Sequence, residues 1–392
     1  MSELYALPEG WEWKKLEDVC QFINGRAYKK NELLSNGKYP VLRVGNFFTN
    51  NNWYYSDLEL PVNKYCDYGD LLYAWSASFG PRIWKGKKSI YHYHIWKVIP
   101  DDNLITKEFL YRLLDWDVEK IKADQGTGTT MIHVTKGSME ARKIPLPPLQ
   151  EQKRIVAKLD SLFAKIDHAI ALHQQNIDEA EGFMGSVLNE VFGALEGEYE
   201  SFLLGDLTKT TSGGTPRRSE KSYWENGTIG WLKSGELNDA YIDSVEEYIT
   251  EEGLKKSSAK LFPKGTLLIA MYGATVGKLA ILNIETTTNQ AICAILNDKE
   301  RFETKYMFYF LKKIREKMLK DSFGGAQPNI SQTYIKDLSV PLPPLNIQQK
   351  TVQYLDQLSQ KTQALKEVQQ EKMTQLKALK ASLLDRAFRG EL

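Results

Sequence analysis

Hydrophobic positions along the chain fall into two regimes, and the alternation between them happens twice. Short, dense apolar runs come first. Leu71-Leu72-Tyr73-Ala74-Trp75 and Leu267-Leu268-Ile269-Ala270-Met271, each introduced by a glycine turn, predict buried strands. Tyr91-His92-Tyr93-His94-Ile95-Trp96-Lys97-Val98 alternates and predicts a single strand with two unlike faces. Phe109–Leu114 and Met307–Leu311 predict the starts of short helices. A proline cluster then stops regular structure, because proline lacks an amide donor and biases the residue before it away from helix. Beyond it, apolar residues recur at steps of four and three. In the first instance these are Ile155, Leu159, Leu162, Ile166 and Ala169, resumed by Ala180, Phe183 and Val187 across polar His173 and Asn176. In the second they are Leu355, Leu358, Thr362 and Leu365, then Leu376, Leu379 and Leu383 after Gln369 and Lys372. This is coiled-coil spacing with interruptions, and some forty residues of such helix extend about 60 Å.

The two instances are copies. Ile144-Pro145-Leu146-Pro147-Pro148-Leu149-Gln150-Glu151-Gln152 recurs as Val340-Pro341-Leu342-Pro343-Pro344-Leu345-Asn346-Ile347-Gln348, an offset of 196 (341 minus 145). Gly69–Ala74 matches Gly265–Ala270, and Phe192 matches Phe388, at the same offset. Ile105–Phe109 meets Glu303–Met307 at offset 198, after a small gap. Matches in one order at nearly one offset describe a tandem duplication. The expected fold is therefore α+β: two similar domains separated by two long helices. The ranges are 1–148 for the first domain, 149–196 for its helix, 197–343 for the second domain and 344–392 for the second helix. Each helix could lie on its own domain. Two equal helices too long for such a domain to cover more simply pack antiparallel against each other, which gives pseudo-twofold symmetry.

Composition fits two domains with proper cores: 392 residues, 42% hydrophobic and 26% charged. No apolar stretch approaches the ~18–20 residues of a membrane span, and the N-terminus lacks a secretory signal. Cys20, Cys66 and Cys293 lie far apart, so neither a disulfide framework nor a cysteine zinc site is expected, and a cytoplasmic location is. Net charge is only +1, so a nucleic-acid surface would have to be concentrated on one face. Catalytic motifs are missing. Gly273-Ala274-Thr275-Val276-Gly277-Lys278-Leu279 has three residues between its glycines and leucine after the lysine, which a Walker loop does not tolerate. It reads as a glycine turn between strands. No nuclease carboxylate cluster, Asn-Pro-Pro-aromatic tetrad or dinucleotide fingerprint is present. His92 and His94 lack a third ligand at sensible spacing, so a base-contacting surface is the better reading and no metal is expected.

What remains is a set of turns that combine cations, amides and aromatics. The first half offers Arg43, Asn46, Ser76, Ser78, Arg82, Lys85 and His92, with Thr127 and Thr129 in a glycine-threonine loop. The second offers Arg217, Arg218, Lys233, Ser234, Tyr272, Lys278, Asn289, Gln290, Gln327 and Asn329. Arginine and lysine suit guanine edges and phosphates, while asparagine and glutamine suit adenine. Solvated loops of no special role are the plainer reading of any one segment; their recurrence in both halves favours DNA.

These residues carry a resemblance. The proline element leading into a long helix twice, the stretch Thr211-Ser212-Gly213-Gly214-Thr215-Pro216 with Ile229-Gly230-Trp231-Leu232-Lys233-Ser234-Gly235-Glu236-Leu237, and the ending Leu383-Leu384-Asp385-Arg386-Ala387-Phe388-Arg389-Gly390-Glu391-Leu392 resemble specificity subunits of type I restriction–modification systems. The resemblance covers essentially the whole chain. It implies two target-recognition domains that read a bipartite double-stranded DNA site. It also implies two modification subunits that use S-adenosylmethionine, and restriction subunits that use ATP and magnesium. No cofactor is then expected in this chain. Asn24-Gly25-Arg26-Ala27-Tyr28 stands where Gly-Gly-Thr-Pro appears later, which implies two different half-sites. A self-sufficient methyltransferase or nuclease, or a coiled-coil scaffold without a DNA role, are the alternatives.

Overall fold

A computed structural model describes residues 5–48, 50–76, 79–124, 134–323 and 328–392. The chain divides into two compact units, Met1–His173 with Gln370–Leu392, and Gln174–Gln369.

In the first unit one antiparallel sheet has the order Cys20–Asn24, Ile95–Pro100, Leu71–Ala74, Gly80–Ile83. A second has the order Tyr54–Ser56, Tyr39–Leu42, Ser89–Tyr91, Tyr65–Cys66, with Tyr39–Leu42 and Ser89–Tyr91 parallel. Glu12–Lys15 pairs separately with Lys143–Leu146, the strand that carries the proline element. The second unit repeats this order strand for strand. Its first sheet runs Thr210–Ser212, Ile292–Ile295, Leu267–Ala270, Leu279–Leu282, and adds Ala240–Ile242 at the edge. Its second runs Glu247–Ile249, Ile229–Leu232, Thr286–Thr288, Leu261–Phe262, with the central two again parallel. Ser201–Leu203 pairs with Ser339–Pro341.

One expected strand is corrected. Residues 91–98 form the end of Ser89–Tyr91 and the start of Ile95–Pro100, which belong to different sheets, with a turn at His92–His94 between them. The alternation of aromatic and polar residues there arises from a chain crossing between sheets, not from one two-faced strand.

The long helices are Leu149–Glu198 and Leu345–Phe388, and both units use parts of both. Within the first unit they run antiparallel: Arg154 Nη2 donates to the carbonyl of Leu392, and Lys380 pairs with Asp167 at 2.8 Å. Within the second, Asn176 Nδ2 donates to Gln369 Oε1 at 3.4 Å and Lys366 pairs with Glu181, again antiparallel. The first unit's core joins Ile155, Leu159, Phe163 and Ile166 to Phe109 and Leu113 of helix Lys107–Asp124, and to Leu384, Ala387 and Phe388. The second joins Met184, Val187, Leu188 and Phe192 to Tyr306 and Phe310 of helix Thr304–Lys313, and to Leu355. The expected helix register drifts. Phe163, Met184, Met373 and Leu384 are buried, whereas Phe183, Leu365 and Leu379 are about half exposed. Toward their ends the helices face a globular core as well as each other, so the buried stripe is wider and turned from a two-helix seam.

The repeated proline element has a plain structural purpose. Gln152, wholly buried, accepts from the amide of Thr106 at 2.8 Å and donates to the carbonyls of Leu104 and Pro147 at 2.8 and 2.9 Å. Gln348 accepts from the amide of Glu303 at 2.9 Å and donates to Arg301 and Pro343 at 3.3 and 2.8 Å. Each amide satisfies backbone groups that proline and the helix start leave open, which burial would otherwise penalise.

Candidate nucleic-acid interface

Two parallel strands that end side by side must send the chain away at one place. In the first unit, Tyr39–Leu42 and Ser89–Tyr91 do so into Arg43–Asn46 and His92–His94. Backbone bonds then lace neighbouring turns together: His92 N to Leu42 O at 2.9 Å, Arg26 N to Tyr91 O at 3.0 Å, Tyr93 N to Arg26 O at 3.1 Å and Trp75 N to His94 O at 3.1 Å. Gly25 lies so close to this crossing that a β-carbon would come within 2.3 Å of the Tyr91 carbonyl oxygen, which explains the glycine in both halves. The exposed Arg43 guanidinium lies 5.2 Å from the Tyr54 ring centre. His92, His94 and Trp75 form one ring cluster with centroids 4.9 Å apart at each step, and Trp75 Nε1 donates to the Tyr93 carbonyl at 2.9 Å.

Burial above all, then the nearby His94 and Arg43, push the His92 imidazole down to about 4, so it is neutral at neutral pH. Its Nδ1 accepts from the amide of His94 at 3.5 Å, which leaves Nε2–H as a donor for a ligand. Asn46 is part of the scaffold, donating to the carbonyls of Asn50 and Asn52 at 3.0 and 2.8 Å. Ser76 is 4% exposed beside Trp75.

The second unit repeats the crossing with different side chains. Asn289 N donates to Leu232 O at 2.9 Å, Gly214 N to Thr288 O at 2.9 Å, Met271 N to Ala291 O at 2.8 Å and Ile330 N to Met271 O at 2.9 Å. A β-carbon on Gly213 would meet Thr288 at 2.1 Å. Lys233, the counterpart of Arg43, is held by Glu246 at 2.8 Å and Glu247 at 3.1 Å, and its hydrogen bonds to those carboxylates push its pKa upward. Ser234 follows it in a short turn. Gln290 is exposed and accepts from the Thr215 hydroxyl, and Asn289 Oδ1 accepts from Ala291 N at 3.2 Å. Exposed Tyr272 bridges to Asn329, and exposed Lys278 closes the same glycine turn, in which Gly273 and Gly277 take φ of 69° and 77°.

Not every sequence candidate joins these clusters. Lys85 lies just beyond Ile83, whose strand partner is Leu71, so it stands at the opposite end of the sheet from Ser76. Arg82 stacks on Phe48 at 4.8 Å. Arg218 sits over Trp224 and Trp231 at 3.8 and 4.5 Å and pairs with Glu247, a bracing position, while Arg217 is exposed beside it. Ser78, Thr127, Thr129 and Gln327 lie outside the described residues. Sequence reasoning missed Tyr54, Trp75 and Tyr93 as members of the clusters. Only the sheet crossing identifies them, although a tryptophan directly after a buried strand was a usable signal. No group of three or more His, Cys, Asp or Glu able to hold a metal occurs among the described residues. No helix among them is long and apolar enough to cross a membrane.

The family model for the type I restriction modification DNA specificity domain matches residues 8–181 and again 196–375. The chain is 26% identical to the type I restriction enzyme EcoR124I/EcoR124II specificity subunit of Escherichia coli over 234 residues, a match spanning 58% of each chain. It is 23% identical to the EcoBI specificity subunit of Escherichia coli, covering 100% of this chain and 88% of that one. A solved structure described as showing complex assembly and conformational transition of the type I R-M system is similar with a TM-score of 0.77. That likeness has 25% identity and covers 99% of this chain and 100% of its counterpart.

Proposed function

This chain belongs to the family of type I restriction–modification DNA specificity domains, of which it carries two, and serves as a specificity subunit; we propose that its two loop clusters read the two halves of a bipartite double-stranded DNA target. The observation that carries the proposal is the repeated sheet crossing. It presents corresponding turns in both units but arms them differently. Arg43 and the His92 Nε2–H offer donors in the first, suited to guanine. Gln290 and Asn289 offer amides in the second, suited to adenine, beside a lysine whose charge two glutamates offset. Unlike chemistry on like scaffolds reads unlike half-sites.

The same reading assigns the rest of the assembly. Residues 1–148 and 197–343 are the reading domains, and the helical segments 149–196 and 344–392 set the number of unread base pairs between half-sites. Two modification subunits bind the chain and supply S-adenosylmethionine chemistry, and restriction subunits supply ATP- and magnesium-dependent translocation and cleavage. The chain itself is non-catalytic and acts in the cytoplasm. The missing catalytic motifs support this division of labour. Incubating the purified chain with labelled S-adenosylmethionine and DNA should give no methyl transfer, and adding the modification subunit should restore it. Transfer by the chain alone would overturn the proposal in favour of a self-sufficient methyltransferase.

A further inference from the structure

The second unit holds a cleft of about 600 Å³ between the first strand of its five-stranded sheet, Thr210–Ser212, and the edge strand Leu261–Phe262 of the other sheet. Lys209, Lys260, Lys264 and Lys299 line it, all exposed, together with Thr211 and Asn297. None of the four lysines forms an ion pair among the described residues. Among the described residues no acidic one lines the cleft, and nearby Asp298 lies 3.9 Å from Arg301. In a chain with 51 basic and 50 acidic residues, four unneutralised lysines around one opening are a local concentration of charge.

The cleft meets the reading turn at Lys260 and runs from there to the other end of the strands, where Lys209, Lys264 and Lys299 stand. Lys260 Nζ donates to Thr211 Oγ1, and two residues earlier Ser258 packs so tightly on Gly214 that a β-carbon there would lie 2.3 Å from its hydroxyl. The first unit has the matching cleft without the charge. Lys64, placed before Tyr65–Cys66 as Lys260 is before Leu261–Phe262, donates to the carbonyl of Asn24 at 2.7 Å. That cleft is lined by two lysines and two glutamates, with Lys136 paired to Glu140 at 3.3 Å and Glu17 paired to Lys15 at 2.8 Å.

We propose that the second unit's lysine cleft binds the phosphate backbone of DNA bordering the second half-site, and that the matching cleft of the first unit does not. Lysine is a flexible point charge that binds phosphate without reading sequence, and the cleft begins where base contact through Thr215 and Gln290 ends. The inference rests on the DNA-reading function proposed above. The test uses the complete complex with modification subunits, comparing unsubstituted chain with the K209Q/K260Q/K264Q/K299Q variant on duplex carrying the mapped methylation motif. The plot of log affinity against log salt should become shallower by about 1 for each phosphate no longer neutralised, up to about 4. Hydroxyl-radical protection should disappear beside the second half-site only, and the methylated motif should stay the same. Replacing the four lysines by arginine should restore both. An unchanged salt slope in an assembled, folded complex would overturn the inference. So would failure to bind modification subunits while DNA binding is retained, which would assign the cleft to an acidic protein surface. Absence of any bipartite motif with the unsubstituted chain would instead overturn the reading beneath it.

Discussion

His92 occupies the turn between two sheets, where it is half-buried against His94 and near Arg43. Its pKa falls from 6.5 to about 4 on folding, with burial as the main cause. The unfolded chain therefore holds a proton between those values that the folded chain does not, and stability rises with pH across that window. Stability contributed by the neutral ring is full above pH 6.5 and is lost as pH falls toward 4. His92→Gln should flatten the acid limb of thermal unfolding midpoint against pH over that interval; an identical slope in both proteins would contradict the assignment. At this scale the sequence singled out Arg43, on a glycine-flanked turn, and His92, which it placed on a strand rather than on the turn it occupies. It did not show that Lys233 is offset by Glu246 and Glu247, thirteen and fourteen residues away, since that pairing exists only once two loops meet. The glutamines of the proline element were legible as repeats, but their purpose required seeing three backbone partners around each amide.

The helices illustrate what periodicity can and cannot decide. Two long helices were evident from apolar steps of four and three, and the duplication at offset 196 follows from the letters alone. The buried register was not, because Phe163, Met184 and Leu384 face globular cores that a helix pattern does not describe. The strand expected over 91–98 failed for a related reason: aromatic-polar alternation accompanies a turn as readily as a strand. Phe388 shows how far apart in sequence a core can be assembled. Although it ends the second helix, its ring lies 5.3 Å from Phe109 and 4.9 Å from Trp116 in the first unit. Phe192, its copy, lies 5.3 Å from Tyr306 in the second. Phe388→Ala should cost about 3–5 kcal/mol. Hydrogen exchange should then accelerate mainly in Leu71–Ala74, whereas Phe192→Ala should accelerate it mainly in Leu267–Ala270. Equal acceleration in both strands from either variant would show that the units do not hold separate cores.

For the molecule as a whole, near-zero net charge concealed rather than excluded a polyanion partner. Its 51 basic and 50 acidic residues are not evenly mixed, as the second unit's lysine cleft and the neutralised cleft of the first demonstrate. The duplication predicted two similar domains, and strand order bears this out, whereas the bases each one meets follow from side-chain donors only once DNA is in place. The bipartite reading proposed for the two units is tested by genome-wide mapping of methylated adenine in a host expressing this chain with the proposed modification subunit. One motif made of two unlike half-sites separated by unread base pairs is expected, and it should disappear when this chain is removed. A single undivided motif, or methylation unchanged without the chain, would contradict that reading.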